Sequence, residues 1–155
     1  MNKYLTGIIA GGIIFCALAF QAPRRPGNPN KIVHKGKAFL ANGQTSGTIS
    51  KRAFDSVLAY GLFAKDSANN EHPVVQYTFT YAERGAYEDS TGRLKIMTEY
   101  YSMDSDKGKL PDFWVKSIKD RTKGGDTATF VEIMSVYQDG KTRFYAEPIK
   151  LILTD

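Results

Sequence analysis

Cysteine is nearly missing from this chain: the only one is Cys16, inside an apolar N-terminal run. Everything downstream therefore lacks a thiol, a disulfide and a thiolate metal ligand. Histidine is almost as scarce. Neither His34 nor His72 has a second imidazole, a cysteine or a carboxylate at a metal-ligand spacing, so both read as solvent-exposed loop residues. There is no Gly-x-Ser-x-Gly, no Gly-rich phosphate loop and no Cys/His pair. These absences lead us to expect no catalytic residue, no metal site and no cofactor, and so no enzyme. The charge excess is small, +5 over the chain and +4 once Lys3 is set aside with the leader, and it is scattered. That balance argues against a nucleic-acid partner.

Two acidic motifs fall short of a site. The run Asp104-Ser105-Asp106-Lys107-Gly108 opens like a calcium loop, but Lys107 stands where an oxygen ligand is needed and the glycine comes one residue early. It reads as a solvated hairpin loop. Glu88-Asp89 offers two carboxylates, but neighbours on a strand point to opposite faces, so a charged edge or turn is the plainer reading.

What the sequence has begins with a leader. Lys3 precedes residues 5–20, which carry no ionisable carboxylate or amine, too short a run for the roughly twenty residues of a membrane span. Residues 1–22 therefore read as a cleaved signal peptide, with Ala17 and Ala19 as the small residues a signal peptidase accepts. Phe15 before Cys16 argues against a lipoprotein signal. Residues 23–35 hold three prolines without apolar periodicity and read as a linker. The protein is thus expected in the periplasm or outside the cell, touching a membrane only if the leader stays uncleaved.

Residues 36–155 read as one all-β domain with one short helix. Nine Tyr and nine Phe favour sheet. Residues 37–41 are a short strand candidate; Ser50 then offers an N-cap for one helical turn, and residues 57–65 resume a strand-like run, with a helix over 53–63 as the competing reading. In residues 74–81, Val75, Tyr77, Phe79 and Tyr81 alternate with polar neighbours, which predicts one buried face. Residues 93–101 alternate Leu94, Ile96, Thr98 and Tyr100, expected inside, against Arg93, Lys95, Met97 and Glu99. Pro111 and Asp112 open a helix over 112–119, within which Phe113 or Trp114 should pack on the sheet. Residues 127–137 and 142–153 form a hairpin about Asp139-Gly140, with Pro148 breaking or bulging its second strand. About seven strands result, which favours an antiparallel β-sandwich. Of the residues left outside, Met97 and Tyr101 are the candidates for an exposed partner-binding face, with Lys95 and Glu99 tuning its selectivity.

Several of these stretches resemble a known family. Gly47-Thr48-Ile49-Ser50-Lys51 followed by Gly61-Leu62-Phe63-Ala64-Lys65 resembles the opening of the C-terminal domain of GldM-like motor proteins of gliding motility and type IX secretion. Thr129-Phe130-Val131-Glu132-Ile133, Asp139-Gly140 and Pro148-Ile149-Lys150-Leu151 resemble that family's terminal hairpin. The resemblance covers residues 36–153 and implies an immunoglobulin-like sandwich that docks to a protein partner in the cell envelope, with no catalytic residue to carry over. The family's transmembrane helix and preceding domains have no counterpart here, so its rotary shaft role does not follow. The alternative is a free-standing ligand-binding or adhesive sandwich unrelated to secretion, because fold alone does not choose a function.

Overall fold

A computed structural model describes residues 34–155; the leader, and the linker as far as residue 33, lie outside the described residues. The described chain runs β1 (His34–Leu40), β2 (Gly47–Ser50), α1 (Lys51–Val57), a 3-10 turn (Leu58–Tyr60), β3 (Leu62–Asp66), β4 (Glu71–Glu88), β5 (Leu94–Ser105), α2 (Asp112–Arg121), β6 (Thr127–Val136), β7 (Arg143–Glu147) and β8 (Ile149–Thr154). It is mostly strand, as the aromatic-rich composition anticipates, but it carries two α-helices where one is expected. The additional one, α1, starts at the cap the sequence offers. Ser50 Oγ accepts the Ala53 N–H at 3.3 Å, and Phe54 and Val57, three residues apart, turn inward together.

The strands do not form two stacked sheets. All eight join one sheet in the order β2-β8-β6-β7-β1-β3-β4-β5, and β4 pairs again with β6. That second pairing closes β6, β7, β1, β3 and β4 into a five-stranded ring, which replaces the sandwich expected from strand count. Two local features make closure possible. Between Thr78↔Val131 and Gln76↔Met134 the strand β6 carries one extra residue, and Glu132 takes φ +52 there, a bulge that bends the strand. Pro148, which cannot donate to a ladder, then divides the returning chain. Before it, β7 pairs with residues 134–136 of β6 and runs parallel to β1; after it, β8 pairs with residues 127–130 of β6 and with β2.

The ring interior is the core. Tyr77, Phe79, Tyr81, Phe130 and Ile133 fill it, and Phe54 of α1 with Ile118 of α2 belong to the same buried cluster. Burial pushes the Tyr77 hydroxyl up to about 12, because the phenolate has no water to solvate it. The alternation anticipated for β4 holds at Tyr77, Phe79 and Tyr81, whereas Val74 is buried in place of Val75. The cause is a second irregularity, since two β4 residues between Val74↔Ser135 and Gln76↔Met134 oppose a single step of β6.

Candidate functional site: the β4–β5 arm

β4 outruns its inner neighbour. Its pairing with β6 ends at Ala82↔Thr127, but its pairing with β5 continues without a break to Glu88↔Leu94. Residues 83–88 and 94–99 therefore form a two-stranded arm that extends about 20 Å past the last β6 pair, at roughly 3.3 Å per residue. An isolated hairpin is marginal in water, so both ends of the arm need support.

At the tip, Asp89 organises the turn. Its carboxylate accepts the Thr91 N–H at 2.9 Å, the Thr91 hydroxyl at 2.6 Å, the Arg93 N–H at 3.1 Å and the Lys95 ammonium at 2.9 Å. The Thr91 hydroxyl, and then Lys95, hold this carboxyl far below the usual carboxylate range. The Glu88-Asp89 pair thus ends in a turn, and Asp89 has its acceptor sites filled.

At the base, a buried carboxylate ties the arm to the barrel. Asp126 has no exposed surface; it accepts the Tyr81 hydroxyl, the Arg84 N–H at 2.8 Å and the Lys123 N–H at 3.2 Å. Burial, and then this carboxylate, drive the Tyr81 hydroxyl far above the normal phenol range. Beside it Glu83 receives Lys123 at 3.0 Å and Arg121 at 3.3 Å, and the Lys123 hydrogen bond lowers the Glu83 carboxyl. The Arg121 guanidinium also lies 4.2 Å from the centre of the Tyr101 ring, and Tyr101 donates its hydroxyl to Glu99 at 2.7 Å.

Lys95, Met97, Glu99 and Tyr101 do share one face, as the alternation requires. Lys95, Met97 and Glu99 are exposed, but Tyr101 is half-buried and packs against the core, which corrects its reading as an exposed residue. The opposite set is the larger correction. Leu94, Ile96 and Tyr100, expected inside, are 79%, 65% and 72% exposed. Alternation says which residues share a face, not whether anything covers that face; among the described residues β5 pairs with β4 alone, and none covers this part of it. A signal existed in the opposing strand, where Ala82, Arg84, Ala86 and Glu88, the residues paired with Tyr100, Thr98, Ile96 and Leu94, supply no bulky apolar partner.

The remaining candidates sit elsewhere. His72 is not in an exposed loop; it is 4% exposed within β4, its Nε2 lies 2.9 Å from Asp66 Oδ2, and its ring meets Tyr137 and Phe144 edge-on. Its Nδ1 has no hydrogen-bond partner. The contact with His72 brings the Asp66 carboxyl down to about 2. Asp66 also accepts the Ala68 and Asn70 N–H groups, each at 2.9 Å, so the pair holds the β3–β4 turn together. His34 opens β1. The segment at Asp104–Gly108 leads to α2 and so is not a hairpin loop; Asp104, Asp106 and Lys107 are exposed, as a solvated loop requires, but Ser105 is buried, and Gly108, at φ +68, lies so close to the Val74 carbonyl that a Cβ would be 2.0 Å from its oxygen. Among the described residues no group of three or more His, Cys, Asp or Glu is placed to hold a metal ion. Phe113 is 67% exposed and Trp114 packs on the core, as their adjacency anticipates.

Fold and site together define a class: an all-β protein in which a closed five-stranded ring carries an open hairpin arm. No family model matches the chain, and no curated protein matches its sequence. Among the described residues no helix is long and apolar enough to cross a membrane.

Proposed function

We propose that this protein is an exported, non-enzymatic interaction module of the cell envelope that works by presenting the β4–β5 arm to a protein partner. One observation carries the reading: β5 offers a strand edge that no described residue pairs with, flanked by the exposed apolar side chains Leu94 and Ile96 beyond the ring and Tyr100 at its rim. An open edge accepts another strand through backbone hydrogen bonds, and alternate side chains then select the partner. Export rests on the uncharged run at residues 5–20. A place as an accessory of gliding motility or type IX secretion rests on the sequence resemblance to the C-terminal domain of GldM-like proteins alone.

The test shortens the arm. Residues 86–96 are replaced by Asn-Gly, joining the paired positions Gly85 and Met97 through a two-residue turn. A photo-crosslinking residue at position 100 should capture a partner in intact cells with the native arm and lose it with the short one, while the thermal melt stays nearly unchanged. Equal capture by both forms would overturn the reading.

A further inference from the structure

We infer that the partner of the β5 edge is a second copy of this chain, paired antiparallel across a two-fold axis at Met97. This rests on the arm being a docking surface and names its occupant.

The backbone decides which groups are free. The Asp89 N–H donates to the Arg93 carbonyl at 2.9 Å, and this pair continues the register Tyr87↔Lys95, Gly85↔Met97 and Glu83↔Glu99. Hydrogen-bonded pairs alternate in an antiparallel ladder, so the odd-numbered residues of β5 turn their N–H and C=O groups toward β4. The Arg84 N–H, which points away from β5 to Asp126, obeys the same parity. Leu94, Ile96, Thr98 and Tyr100 therefore direct their N–H and C=O groups outward along the open edge.

The side chains then fix the register. With Met97 opposite Met97, Ile96 meets Thr98 and Leu94 meets Tyr100 in hydrogen-bonded pairs, while Lys95 meets Glu99 in a non-hydrogen-bonded pair, where side chains approach most closely. Each of these contacts occurs twice about the axis. On one face two Lys–Glu pairs flank the methionines. On the other, the two most exposed apolar residues of β5, Leu94 at 79% and Tyr100 at 72%, cover each other. Shifting the register by two residues one way sets Lys95 against Tyr101 and Glu99 against Met97; shifting it the other way sets Glu99 against Arg93 but takes Leu94 away from Tyr100, so the charge pairs and the apolar cover coincide only with Met97 opposite Met97. The contact is isologous and closed, as a two-fold interface must be. No proline interrupts β5, and in this pairing its two opposite charges serve attraction in place of the protection usual at an edge.

Cysteine pairing and sedimentation test it on the full chain. In a Cys16→Ser background, Met97→Cys places two thiols opposite each other at the axis, within the Cα separation a disulfide spans. It should oxidise to a covalent dimer, whereas Lys95→Cys, which faces Glu99, should remain largely monomeric. In sedimentation equilibrium Glu99→Lys should weaken association about tenfold by setting like charges opposite each other. The double exchange Lys95→Glu with Glu99→Lys should restore it. The exchange also removes the contacts that Lys95 makes with Asp89 and that Glu99 makes with Tyr101, so recovery reports the pairing between copies. A monomer at all concentrations, or equal cross-linking at positions 95 and 97, overturns the inference. If such a monomer still cross-links a different protein through the arm, the proposed function stands and only its occupant is wrong.

Discussion

The ring and the arm are built from the same two strands and obey opposite rules. Along Tyr77–Ala82, β4 has β5 on one side and β6 on the other, and its inward side chains are fully buried. Along residues 83–88 the same strand has β5 alone, and side chains of similar type on β5 stand in solvent. The two faces change character where the third strand stops: the inward face passes from Tyr77, Phe79 and Tyr81 to Glu83 and Gly85, and the outward face passes from Thr78 and Thr80 to Tyr100, Ile96 and Leu94 across the ladder. Apolar side chains that gather on an outward face with no described neighbour over them are shaped for contact.

The comparison breaks if the two regions respond alike to truncation. Phe130→Ala, which opens a cavity in the ring, should cost about 3–5 kcal/mol in denaturant unfolding. Asp126→Ala, which leaves the Tyr81 hydroxyl and two N–H groups without their acceptor, should cost about 2–3 kcal/mol. Hydrogen exchange should show that this change loosens residues 83–88 more than residues 77–81. Acid should loosen the contact between Asp66 and His72. The Asp66 carboxyl is lowered in the folded state, so its contribution is complete above the unfolded value of 3.8 and is lost as pH falls toward about 2. Following Tyr137 and Phe144 by NMR from pH 5 to pH 2 should show their packing on His72 loosening across that window. At the small end, Ile96→Ala should change stability by less than about 0.5 kcal/mol, measured by the same denaturant series. A loss comparable to that of Phe130→Ala would place Ile96 in the core and end the distinction between ring and arm.

Much of the ring was legible in sequence because its signals are local. Alternation at Tyr77, Phe79 and Tyr81, the Ser50 cap, the Asp139-Gly140 turn and the break at Pro148 each depend on a few adjacent residues, and the structure has all of them. Closure was not legible. It depends on β4 meeting β6 and on β1 meeting β7, pairings between distant segments that leave no periodic trace. The candidate site is half legible: alternation puts Lys95, Met97 and Glu99 on the exposed side, but it also puts Leu94, Ile96 and Tyr100 inside. Their alternation matches that of a buried strand, and only the small and charged residues of the opposing strand betray that nothing packs there. His72 was misplaced for a related reason, since its burial comes from Tyr137 and Phe144, far along the chain.

The parallel pairing of β1 with β7 also sets an order in time. It joins Lys37 to Glu147, 110 positions apart, so the ring shuts only when nearly the whole described chain is in place, and pairings this distant form on roughly the millisecond-to-second scale. The arm needs only the short link between Glu88 and Leu94, and hairpins of that kind form in about 1–10 μs. A newly made molecule should therefore carry its adhesive hairpin well before it seals its barrel. During that interval it has open edges on β1 and β7 besides those on β2 and β5, and the finished molecule keeps only the last two. Pulse-labelling exchange should find residues 83–88 protected early and residues 34–40 protected last.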